Sequence, residues 1–176
     1  MEGNRFAAAD RLKLGRPEYK DAESVRKALR KQAFESAFAW DRNGRLVAAR
    51  DGTSRRVTLF DFELEEASFG SIIHNHPNGV PFSLDDLNTA KKFSIKHLEI
   101  VSKRYDYILE PPDAGWDRVS DTIWNIEMEE LRIRQRNIYK DLNYGTITHE
   151  EVFEELHEAM KEFRMNARIR YGRIEG

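Results

Sequence analysis

The sequence predicts an α/β fold of the α+β kind: a mixed β-sheet flanked by helices, with a helical hairpin at the C-terminal end. Three observations carry that expectation. The pair Asn43-Gly44 lies between two apolar runs and marks a β-hairpin. A β-branched run from Gly70 to His76 leads through a Pro/Gly loop into a helical pattern that starts at Leu84. Two long helical patterns, Asp121 to Leu142 and Thr148 to about Tyr171, are separated by Asn143-Tyr144-Gly145, a helix stop with glycine where a left-handed residue is tolerated.

Taken in order, residues 1–19 mix charges with Gly15 and Pro17 and read as an N-terminal arm whose order depends on docking. From Asp21 to about Phe34, Val25, Leu29 and Ala33 recur at helical spacing among Lys and Arg, which predicts a short amphipathic helix. Glu35 then opens a strand and stands at the opposite end from the hairpin turn, where both Asn43 and Gly44 tolerate the positive φ of a type I′ turn. A second turn at Asp51-Gly52-Thr53 leads to Val57–Phe60, expected as a further strand, and acidic Asp61 to Ser68 is a helix or a loop. Leu84, Leu87, Ala90 and Phe93 or Ile95 place a helix on the sheet from Leu84 to about Lys96. Leu98 to Ser102 and Tyr105 to Leu109 are strands joined through Lys103-Arg104 and closed by Pro111-Pro112 and Gly115. Thr148-x-x-Glu151 is a capping box for the last helix, with Val152, Leu156, Met160, Phe163 and Ala167 as its apolar stripe. The organisation expected is therefore an arm (1–19), an α/β domain (20–115) and a helical hairpin (116–176). The hairpin can pack on the core or on a second copy of the chain as a homodimer.

Composition excludes several classes of function. The 176 residues are 40% hydrophobic and carry no cysteine, so disulfides, thiolate metal ligands and cysteine nucleophiles are all absent. A net charge of −2 gives no basic footprint for nucleic acid. No run approaches the length of a membrane span, and Met1-Glu-Gly-Asn-Arg-Phe lacks the apolar core of a signal peptide, so a cytoplasmic protein is expected.

The chemistry concentrates in the stretch from Ser71 to Leu87, which contains His74-Asn75-His76-Pro77 and Ser83-Leu84-Asp85-Asp86. In a strand, residues i and i+2 share a face, so His74 and His76 present both imidazoles to one point while Asn75 faces away. Catalytic zinc takes three His/Asp/Glu ligands and leaves its fourth position to water. If a helix starts at Ser83, Asp86 lies one turn in and folds back over the strand end as the third donor, whereas Asp85 points about 100° away around the helix. Ser83-x-x-Asp86 also has the form of a capping box, in which both side chains would only satisfy backbone N–H groups. The site expected is thus His74, His76 and Asp86 around Zn2+.

His74-x-His76-Pro77 followed by Ser83-x-x-Asp86 resembles the signature of the JAMM (JAB/MPN-type) zinc metalloproteases, and Asn75 with Asn78-Gly79 is most similar to the bacterial and phage-borne branch. The resemblance covers roughly residues 20 to 112, and the stretch between Pro77 and Ser83 is one residue shorter than in the commonest family pattern. It implies a cytidine-deaminase-like JAB/MPN architecture, zinc held by His74, His76 and Asp86, Ser83 helping to stabilise the oxyanion, and an upstream glutamate as general base. Glu35 resembles that glutamate in its local setting. Glu63, Glu65 and Glu66 are nearer in sequence but cluster just before the histidine strand. The activity implied is hydrolysis of an amide or isopeptide bond in a protein substrate, with a ubiquitin-like conjugate among the candidates. A non-catalytic JAB-fold module in a phage-related or other assembly is the alternative.

Overall fold

The computed structural model describes residues 21–176, and the expected N-terminal arm lies outside them. Helix α1 (Ala22–Leu29) is capped by Asp21, whose carboxylate accepts the Ser24 N–H at 2.7 Å. Strands β1 (Ser36–Trp40) and β2 (Leu46–Asp51) form the hairpin, followed by α2 (Asp61–Glu66), β3 (Ser71–Asn75), α3 (Leu84–Lys92), β4 (His97–Val101) and β5 (Tyr105–Glu110). The long helices α4 (Asp121–Tyr144) and α5 (His149–Ala167) come next, and β6 (Arg170–Glu175) ends the chain. The fold is α+β, with one mixed six-stranded sheet in the order β2-β1-β3-β4-β5-β6. Only β3 and β4 are parallel, joined by the crossover through α3.

Each face of the sheet has its own cover. Val25 and Leu29 of α1 pack on Phe38, Ala49, Ile73 and Val101. The alternate residues Ala39, Ala48, Ile72, Leu98 and Ile100 face the larger core, which continues into Trp124 and Leu131 of α4 and Ala159, Met160 and Phe163 of α5. The long helices are thus packed on the core, with Trp116, Trp124 and Phe163 meeting edge to face. One core spans residues on both sides of the boundary expected at 115/116.

Four local expectations are corrected. At the hairpin, Gly44 alone has positive φ (80°), because the Asp41 carboxylate accepts the N–H groups of Asn43 and Arg45 and sets a turn in which Asn43 keeps negative φ. Val57–Phe60 is not a strand: it carries no regular secondary structure and takes no place in the sheet, and residues that favour strands form one only where a partner strand pairs with them. The first helix ends a turn earlier than the periodicity suggested, leaving Ala33 exposed, because the chain is pinned for entry into β1 by Glu35 N–H to Thr53 C=O at 2.7 Å. The last helix stops at Ala167, where Arg168 takes left-handed φ (57°), and Arg170–Glu175 pairs along β5 as a sixth strand. Tyr171 falls four residues after Ala167, so the helical stripe runs into the strand without a break.

Behind the α1 face lies a polar cluster that the strand pattern alone does not reveal. Glu99 on β4 is 1% exposed, takes a bidentate contact from Arg26 (2.6 and 2.8 Å) and lies 3.2 Å from His97, whose other ring nitrogen is 3.0 Å from Glu110. Burial opposes ionisation of Glu99, but the hydrogen bonds from His97 and Arg26 prevail and hold its carboxyl at about 2. His97 is raised, chiefly by its bond to Glu99. The lowered carboxyl contributes stability above its unfolded value near 4.5 that is lost as pH falls toward 2. The raised imidazole contributes fully below 6.5, and its share fades as pH rises through the folded value. Glu99→Gln is therefore expected to cost about 2–3 kcal/mol, near the low end for a broken buried pair because Arg26 keeps contact with water. Urea titrations should find the gap to the unaltered chain widest between about pH 4.5 and 6.5 and narrowing below.

Candidate metal centre

The centre forms at the carboxyl end of β3, where the chain turns over the sheet and re-enters as α3. His74 lies opposite Ala37 of β1, and pairs opposite one another share a face, so Glu35, Ala37, His74 and His76 point to the same side. The turn is tight: Gly79 N–H donates to His76 C=O at 2.9 Å with Gly79 at φ +82°, and Ser83 caps α3. Although one residue shorter than the common pattern, the loop returns Asp86 to the histidines.

His74 Nε2 lies 3.2 Å from His76 Nε2 and 3.2 Å from Asp86 Oδ1. His76 Nε2 is farther from the carboxylate, 3.8 Å from Asp86 Oδ2. Ligands held about 2.0–2.1 Å from a tetrahedral ion sit roughly 3.3 Å apart, so two of the three separations match that spacing and the third is longer. His74, His76 and Asp86 form a group that could hold a metal ion, their ligand atoms all within 4.8 Å of one another. His76 Nδ1 is 3.0 Å from the Val80 carbonyl, which can only accept, so the proton sits on Nδ1 and Nε2 offers its lone pair to the centre.

Asp86 serves both roles that its spacing allows. Its Oδ2 accepts the Ser83 N–H at 2.8 Å and the Ser83 hydroxyl at 2.7 Å, and its own N–H donates to Ser83 Oγ, which closes the capping box. Its Oδ1 is left for His74. Burial would raise Asp86, but His74 beside it holds the carboxyl well below the usual range. His76 is lowered to about 4, first by burial and then by His74. Burial would also lower His74, yet the Asp86 carboxylate raises it. Ser83 is exposed, with its hydroxyl proton turned toward Asp86.

Glu35 lines the same cleft, of about 630 Å³, as His74, His76, Ser83 and Asp86. Burial raises its carboxyl, with His74 opposing and Asp86 adding, and the Val57 N–H donates to it. Asp85 also borders the cleft but is not part of the ligand group. The other glutamates do not line the cleft: Glu63 takes Arg50 (2.7 Å) and the Phe60 N–H, Glu66 takes Arg45, and Glu65 is exposed.

Asn75, between the two histidines, does face away, and it has a partner there that local sequence does not disclose. Its amide accepts the Ser36 N–H at 2.7 Å and donates to the Phe34 carbonyl at 2.9 Å, gripping the backbone on either side of Glu35. These partners lie 39 and 41 residues away in the chain. A fully polar side chain inside an apolar strand was the only available signal.

Among the described residues, no helix is long and apolar enough to cross a membrane. Compared with family models, with curated proteins and with solved structures, the chain finds no match.

Proposed function

We propose that this chain is a zinc-dependent metallopeptidase of JAMM type that hydrolyses an amide or isopeptide bond in a protein substrate, and we read its α+β sheet as a JAB/MPN-like architecture. The observation that carries the reading is the convergence of His74 Nε2, His76 Nε2 and Asp86 Oδ1 in a cleft also bordered by a buried glutamate, Glu35. A bound zinc ion supplies a Lewis acid and lowers the pKa of its water to about 7. The Glu35 carboxylate, raised by its burial toward the working pH, accepts the proton of the attacking water and returns it to the leaving amine. The exposed Ser83 hydroxyl becomes a donor to the oxyanion once its proton turns away from Asp86 Oδ2. A ubiquitin-like conjugate, or a C-terminal extension of a partner, is the substrate class this chemistry would serve.

Elemental analysis and a cleavage assay test the proposal together. One zinc per chain, with cleavage of a ubiquitin-like fusion that stops with chelator and returns with zinc, is the result expected. No zinc retained after incubation with the ion would overturn it. Retained zinc without cleavage of any fusion would favour a non-catalytic assembly module.

A further inference from the structure

The loop from Pro77 to Phe82 carries the carbonyl that fixes His76, and the groups that hold this loop come from outside the motif. On α5, Phe153 lies over Gly79, its ring carbons 3.5 Å from where a Cβ would stand. Val80 packs against Ile138, Val152 and Leu156 of the long helices. Tyr171 of β6 meets Phe82 edge-on, with ring centroids 6.2 Å apart. These contacts fill space, but they do not set the direction of a peptide group.

The directional contact comes from β5. Tyr107 is fully buried, and its hydroxyl donates to the Gly79 carbonyl at 3.0 Å. Its place in the sheet explains why it can reach. His74 lies opposite Ile100, Ile100 opposite Tyr107 and Tyr107 opposite Arg173, so the four side chains form a row on one face. The loop leaves the His74 end of that row and folds back over it, which brings Gly79 above the phenol. The Gly79 carbonyl lies in the planar peptide that carries the Val80 nitrogen, and Val80 precedes Pro81, which restricts its backbone, so orienting that plane also limits where the Val80 carbonyl can point.

We propose that Tyr107 is a positioning residue for the metal centre: by fixing the Gly79 carbonyl, its hydroxyl holds the Val80 carbonyl where it accepts from His76 Nδ1, and so keeps His76 Nε2 aimed at His74 and Asp86. The assignment rests on the reading of His74, His76 and Asp86 as metal ligands. It gives the C-terminal segment a part in the site, since β6 and α5 complete the wall around Tyr107 and its loop. Tyr171 provides the contrast, because its ring packs on Phe82 while its hydroxyl bonds His157 at 2.8 Å rather than a carbonyl of the loop.

The test compares Tyr107→Phe with Tyr171→Phe, each losing one buried hydroxyl and keeping its ring. Zinc affinity is read by competition with a chromogenic chelator, and ligand geometry by the visible absorption of the cobalt-loaded protein. Tyr107→Phe should weaken zinc binding by about 10-fold, the low end of the scale for partners bonded directly to a ligating histidine because Tyr107 acts one residue further out, and alter the cobalt band. Tyr171→Phe should leave both unchanged. Wild-type affinity and band in Tyr107→Phe, or equal losses in the two variants, would overturn the assignment. Should Tyr107→Phe not fold, 4-aminophenylalanine and 4-fluorophenylalanine at position 107 both keep the size of the ring, but only the first keeps a donor for the Gly79 carbonyl, and it alone should retain the zinc affinity of the unaltered chain; equal affinities in the two would overturn the assignment. A wild-type chain that binds neither ion removes the metal reading itself, whereas tight wild-type binding that Tyr107→Phe leaves intact removes only the role of Tyr107.

Discussion

Glu35→Gln is expected to bind zinc at the same stoichiometry as the unaltered chain and to hydrolyse a susceptible substrate about 100- to 10,000-fold more slowly, the range for loss of a positioned general base. The substitution isolates the proton-transfer role because little else depends on the charge. The backbone of Glu35 is held by Thr53 and Gly52 and by the Asn75 amide acting on its neighbours, contacts that glutamine leaves in place. A glutamine oxygen can still accept the Val57 N–H, and Glu35 is not among the three residues that could hold the ion. Turnover equal to that of the unaltered chain, measured at matched zinc content, would remove Glu35 as the base.

Asp86→Ala should lose the metal and loosen the start of α3 together, because one carboxylate serves both. Outer partners of a ligand alone cost 10–100-fold in affinity, so removing a ligand should cost more than about 100-fold. The lost bonds to the Ser83 N–H and hydroxyl add about 1 kcal/mol of destabilisation. Asp86→Asn separates the two roles. Its amide oxygen can still accept from Ser83, so stability should fall by less, while zinc binding stays weak because a neutral amide replaces an anionic ligand. Isothermal titration with zinc alongside thermal unfolding reads both effects. Full zinc stoichiometry and affinity in Asp86→Asn would count against the ligand assignment, as they would in His74→Ala.

The parts of the site that could be read from the chain are those in which the cause is local. His74 and His76 share a face because a strand repeats every two residues, and Ser83 and Asp86 meet because a helix N-terminus brings a residue back to its cap three positions later. The capping box at Thr148 and Glu151 is legible for the same reason. Even there, the sequence left two readings of Asp86 open. The structure puts one oxygen on the cap and the other toward His74, a division that depends on how the whole loop folds back.

The amino-acid sequence by itself determined the α+β class, the order of most elements, the shared face of His74 and His76 and the pairing of Ser83 with Asp86. All of these follow from periodicity, turn chemistry and capping over a few residues. Tertiary structure decided the rest. It left Val57–Phe60 unpaired although its residues favour strands, and it turned Arg170–Glu175 into β6 although the helical stripe ran on. It also gave Glu99 to Arg26, Asn75 to the backbone around Glu35, and the Tyr107 hydroxyl to Gly79. Each of these joins groups 28 to 73 residues apart, and such contacts exist only once the sheet has set which strands are neighbours.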